Sequence, residues 1–159
     1  MAIASFRAGE AIATGEAVYV TASGFIHKAS ALNETQARVV GVALTDGALN
    51  DVVQINTDGV YAAASGLTQN EYQFLSISSS GALVNYTTWV SELDQATTPV
   101  YLTNVGRATS PTSISVEVEP PIYVLPPPFY LLLETGFDPL VDAILLEDGS
   151  PIYLETTLV

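Results

Sequence analysis

Residues able to do acid–base chemistry are few in this chain. Its one histidine, His27, stands beside Lys28 on a stretch that reads as a β-strand. A histidine base needs a carboxylate to orient it and a hydroxyl or thiol to deprotonate. Cysteine is absent and no Gly-x-Ser-x-Gly pattern occurs, so His27 is expected on a surface or edge strand. The glycines fall singly at turn-like positions, and none forms a loop that would cradle a phosphate. Two loop-borne acidic groups could interest a hard cation such as calcium: Asp46 and Asp51 around Gly47 and Asn50, and Glu147-Asp148 with Asp138 and Asp142. Neither has the spacing of a calcium loop. Nothing singles out a glycosidase pair among the 17 carboxylates. No catalytic, cofactor-binding or metal-ligating residue is therefore assigned, and the chain is expected not to be an enzyme.

The aromatic residues, eight Tyr, five Phe and one Trp, could stack on sugar rings. Most, including Tyr19, Phe25, Tyr72 and Phe74, lie on strand-like segments and are more simply core or interface. A carbohydrate-binding β module is the weaker alternative to a structural role.

The elements that would position these side chains are strands. Val18–Val20, Phe25-Ile26, Val39–Leu44, Val52–Ile55, Tyr72–Ile77, Val100–Leu102 and Ile114–Val118 are short, rich in β-branched and aromatic residues, and bounded by Gly, Asn, Asp, Ser or Pro. Asn56-Thr57-Asp58-Gly59 reads as a tight turn, and Ser23-Gly24 and Ser80-Gly81 as hairpin tips. Helical spacing is confined to Ala31–Ala37 and to Thr88–Ala96, where Thr88 is the expected cap. The spacing of turns fits an all-β fold, a β-sandwich or small β-barrel over residues 1–119. A short repeat is visible: AVYVTASGFI (17–26) matches FLSISSSGAL (74–83) in pattern, and Val40-Gly41-Val42-Ala43 matches Val105-Gly106-Arg107-Ala108.

Charge narrows the partners. The net charge is −13, and the four basic residues, Arg7, Lys28, Arg38 and Arg107, are scattered. Nucleic acid and anionic membrane surfaces require clustered positive charge, so both are disfavoured. Arg7 and Glu10 interrupt the start of the chain, which does not read as a signal peptide. The greasiest run, Ile122–Leu133, is too short to span a bilayer and is broken by Pro126-Pro127-Pro128; a soluble protein is expected.

Composition changes near Pro120. Seven of the nine prolines lie between Pro120 and Pro151, favouring stiff extended geometry. Residues 120–159 are read as an extended Pro-rich arm ending in a β-hairpin over 143–154. Its apolar residues, Ile122, Tyr123, Val124, Phe129, Tyr130, Leu131, Leu133, Ile144, Leu146, Ile152, Tyr153 and Leu154, are the candidate inter-subunit contacts, since such an arm cannot build a core alone.

Residues 8–20 (AGEAIATGEAVYV), 39–46 (VVGVALTD), 66–84 (GLTQNEYQFLSISSSGALV) and 105–118 (VGRATSPTSISVEV) together resemble the capsid decoration, cement and head-fibre proteins of tailed bacteriophages. The likeness covers residues 8–119. It departs at Gln69-Asn70, where a Pro-Gly type turn is usual, and it does not extend to residues 120–159. The phrases LLLE-TG (131–136) and ILLE-DG (144–149) there resemble segments of virion structural proteins. The resemblance implies a structural virion protein on the outer capsid surface. Its partners would be the major capsid protein and copies of itself, as a homotrimer or larger, without cofactors. A tail or fibre component is the alternative that the same features would suit.

Overall fold

The computed structural model describes residues 1–62 and 64–126, together with the pairs 144–145 and 151–152. The chain falls into two compact units, Met1–Pro127 and Pro128–Val159. The protein is all-β, with two short helices among the described residues.

The first unit opens with β1 (Ala2–Ala8), β2 (Ala17–Val20), β3 (Phe25–Lys28), helix α1 (Glu34–Ala37), β4 (Gly41–Ala43) and the long β5 (Val52–Tyr61). Ala4, Phe6 and Ala8 alternate inward along β1, as a half-buried strand requires. β2 and β3 form an antiparallel hairpin, β2 pairs β4, and β4 pairs β5. β1 then lies parallel to β3 and antiparallel to β5, so these five strands close a hydrogen-bonded ring. Ala8, Ile12, Val18, Ile26, Ala43, Val53 and Ile55 form one buried cluster, drawn wholly from this part of the chain.

β6 (Tyr72–Leu75), β7 (Leu83–Asn85), α2 (Tyr86–Leu93), β8 (Val100–Leu102), β9 (Asn104–Ser110), β10 (Ser113–Val116) and β11 (Ile122–Val124) follow. β6 pairs β7 and β9, β9 pairs β10, and β10 pairs the far end of β5. This is the plan of the first half repeated: hairpin, Asn-capped helix, return strand, partner strand. The hydrogen bonds repeat too. Gly15 N–H donates to Ala43 O at 2.8 Å and Ala43 N–H to Glu16 O at 2.9 Å; Asn70 N–H donates to Ala108 O and Ala108 N–H to Glu71 O, both at 2.8 Å. Gly15 and Asn70 both take positive φ, 91° and 74°. Asparagine tolerates that region better than most residues, which explains how Gln69-Asn70 replaces a glycine turn. Gly41 and Gly106 also correspond. A Cβ on Gly41 would sit 2.3 Å from Asn56 O, and one on Gly106 would sit 2.1 Å from Ser115 O.

Two expectations change. Asn56-Thr57-Asp58-Gly59 is no turn; β5 runs straight through it. The register against β1 slips there, leaving Thr57 without a partner, and Gly59 adopts φ 89°. Asn56 Nδ2 donates to Gly59 O and its Oδ1 accepts from Asp58 N–H, so the turn-forming residues build a bulge that bends one strand. The first part of β5 pairs β1 and β4, and Gly59–Tyr61 pairs β10. The second change is the cap of α2. Asn85, not Thr88, occupies it, its Oδ1 accepting from Thr88 N–H at 2.9 Å; Asn33 caps α1 in the same manner.

A second cluster joins the halves: Ala17, Ala29, Ala31, Ala37 and Val42 pack with Tyr61, Leu75, Val105, Ile114 and Val116. Thr103 Oγ1, fully buried, donates to Ala37 O at 2.8 Å across this junction. β11 pairs β8 antiparallel. In the second unit, β12 (Ile144–Leu145) and β13 (Pro151–Ile152) pair antiparallel.

Candidate functional site

His27 is a packing residue. Its ring lies against Gly9, where a Cβ would come 2.1 Å from Nε2, and is tilted on Tyr19 at 6.0 Å. Glu10 Oε1 stands 3.5 Å from Nδ1 and also accepts from Lys28 N–H at 2.8 Å. That carboxylate is thus spent on holding the β1–β2 loop to β3.

The acidic loop residues cap turns. Asp46 Oδ1 accepts from both the backbone N–H and the hydroxyl of Thr14, at 2.6 and 2.8 Å, which holds its carboxyl below the ordinary value. Asp51 Oδ2 accepts from Ala48 N–H at 2.9 Å. Among the described residues no three acidic, histidine or cysteine side chains converge on a point; Asp138, Asp142, Glu147 and Asp148 lie outside them. Glu92, which the sequence did not single out, has the densest polar surroundings. Its carboxylate accepts from Ser76 Oγ, Ser78 Oγ and Ile77 N–H at 2.6–2.8 Å. It ties α2 to the β6–β7 turn.

The candidate contact residues divide. Ile122, Tyr123 and Val124 form β11, lying on β8 of their own unit. Ile122 and Tyr123 are 59% and 56% exposed, and Leu125 just beyond is 44% exposed. Tyr123 packs edge-on against Tyr101 with centroids 5.6 Å apart. Ile144 and Ile152 are paired strand residues. Phe129, Tyr130, Leu131, Leu133, Leu146, Tyr153 and Leu154 lie outside the described residues.

The repeat exposes a surface that alternation alone could not rank. Ala17 faces Val42 across β2 and β4, and both are fully buried in the cluster joining the halves. The corresponding pair in the second half is Tyr72 opposite Arg107, two residues away from the sequence match that set Ala17 on Phe74, and both are exposed. Arg107 lies over the Tyr72 ring, 5.7 Å from its centroid, and its Nε donates to Asn70 O at 3.1 Å. Tyr72 is the shared wall of two further depressions, one toward Phe74 and Tyr86 and one toward Leu102 and Ile122. Phe74 meets Tyr86 edge-on at 6.1 Å and leans on buried Trp89 at 6.5 Å. A Tyr or Arg at these two positions would be a hint in sequence only once the repeat was aligned to Ala17 and Val42.

The fold and this surface define a class of protein: a tandem β-repeat with one face sealed by its own second half and the matching face open. Compared with protein-family models and with curated protein sequences, the chain has no match.

Proposed function

We propose that the protein is a structural virion component, a capsid decoration or cement protein of a tailed bacteriophage. In this reading the tandem repeat is a small barrel-type body on the outer face of the shell. Residues 120–159 are an extended Pro-rich arm ending in a hairpin: β11 at its root lies on β8 of its own unit, and the part beyond clamps a neighbour. The observation that supports it best is the exposed apolar strand β11, where the chain leaves the body with Ile122, Tyr123 and Leu125 open to solvent. The sequence beyond is rich in proline and apolar residues. Such side chains gain roughly 25 cal/mol per Å² when covered, before association costs. Repetition over a lattice multiplies modest contacts by avidity. The net charge of −13 suits a surface kept soluble and away from packaged DNA.

The test is sedimentation of the purified chain with empty shells assembled from the major capsid protein of the same phage. Saturable binding, with a mass of a trimer or larger by light scattering, is the expected outcome. A monomer that stays in the supernatant at micromolar concentration would overturn the assignment. Deleting residues 127–159, which spares β11, should abolish shell binding while leaving the circular dichroism β-rich.

A further inference from the structure

We infer that the open face of the second repeat, centred on Tyr72, is a binding site for a neutral saccharide. Beside Tyr72 a cleft of about 320 Å³ is walled by Asn104, Arg107, Ser115, Glu117 and Glu119. A sugar presents an apolar C–H face and a rim of hydroxyls that donate and accept together. Tyr72, one face of whose ring lies under Arg107, supplies the apolar partner, and the depression it shares with Phe74 and Tyr86 extends that apolar surface beside the cleft. Carboxylates accept, guanidinium and amide groups donate, and a serine hydroxyl does both. Arg107 is anchored through Nε to Asn70 O. Among the described residues it has no carboxylate within ion-pair distance, and none accepts from its remaining N–H groups.

Other occupants fit less well. A peptide strand needs a free sheet edge, yet β6 lies between β7 and β9, and β9 between β6 and β10. A second copy would bury Glu117 and Glu119 at its centre, where interfaces are depleted of acidic residues. An acidic glycan would meet Glu71, Glu117 and Glu119 around the site, which leaves neutral hexoses and N-acetylhexosamines. The inference stands independently of the virion assignment, because the repeat geometry alone exposes the face.

Saturation-transfer NMR on the intact protein tests it. The probes are neutral oligosaccharides built from glucose, galactose, mannose and N-acetylglucosamine, with sialyllactose as the acidic comparison. At least one neutral probe should bind in the millimolar range or tighter, and sialyllactose should not. Tyr72→Ala should weaken binding by about tenfold or more, while Tyr72→Phe keeps most of it. The Tyr72 side chain is exposed, so the melting temperature should hold and confirm that the variants are folded. No binding by any neutral probe would overturn the inference, as would undiminished binding by Tyr72→Ala. A fall in oligomer mass in Tyr72→Ala without saccharide binding would assign the face to self-association instead.

Discussion

Replacing Gly106 with alanine probes a close approach of two backbones. The added Cβ would lie 2.1 Å from Ser115 O and 3.0 Å from its carbonyl carbon. A carbon rests no closer than about 3.3 Å to a carbonyl oxygen, so β9 and β10 must part by about 1 Å. Both obstructing atoms are backbone, and no rotamer change can relieve them. Overpacking of this kind costs about 1–3 kcal/mol, and a weakened ladder bond adds about 1 kcal/mol. Reduced freedom of the unfolded chain returns less than about 1 kcal/mol. The net loss is about 2–3 kcal/mol, or about 10 °C in melting temperature for a unit of this size. Gly41→Ala should behave alike, since its Cβ meets Asn56 O at 2.3 Å. Gly24→Ala is the control: its φ of 83° strains an L residue, but nothing lies within 4 Å, so about 1 kcal/mol is expected. Thermal melts and urea midpoints of the three variants decide the matter. Were Gly106→Ala to melt within about 2 °C of the parent, the close approach of β9 and β10 would be refuted.

Burial opposes ionisation of Glu92, but hydrogen bonds from Ser78, Ile77 and Ser76 outweigh it and hold the carboxyl below its ordinary 4.5. Its contribution to stability is therefore complete above that value and is lost as pH falls through the lower folded one. Glu92→Gln should flatten the decline of melting temperature in acid, and parallel curves for the two proteins would contradict this. Asn85→Ala should cost about 1 kcal/mol by uncapping α2, read from urea unfolding. Among the described residues the buried indole N–H of Trp89 has no partner. Trp89→Phe should therefore cost less than a typical core truncation, because it discards an unpaired donor that itself costs about 1–3 kcal/mol; a loss above about 4 kcal/mol would argue that the indole is satisfied.

Much of the strand pattern is legible from local chemistry. Alternating Val, Ile and Tyr mark β2, β5, β6 and β10, and Gly24 and Gly81 mark hairpin tips by their need for positive φ. β1 is weaker in sequence because Ala2, Ala4 and Ala8 carry little β preference; it is a strand because β3 and β5 flank it. Asn56–Gly59 misleads because the residues that favour a reversal also favour a bulge, and only the partner strands decide between them. His27 is legible as a strand residue, but β3 lies between β1 and β2 and not at an edge, and its ring packs on Gly9 and Tyr19. The Tyr72 face is not, because exposure there depends on which half covers the other, a property of packing that no single strand encodes.

The bent strand β5 belongs to both halves, serving β1 and β4 before its kink and β10 after it. Neither half can melt without stripping a border from its twin, so thermal or mechanical loading of Met1–Pro127 meets one cooperative barrier. A repeat of this design behaves as a single plank with a crease, not as two beads on a string.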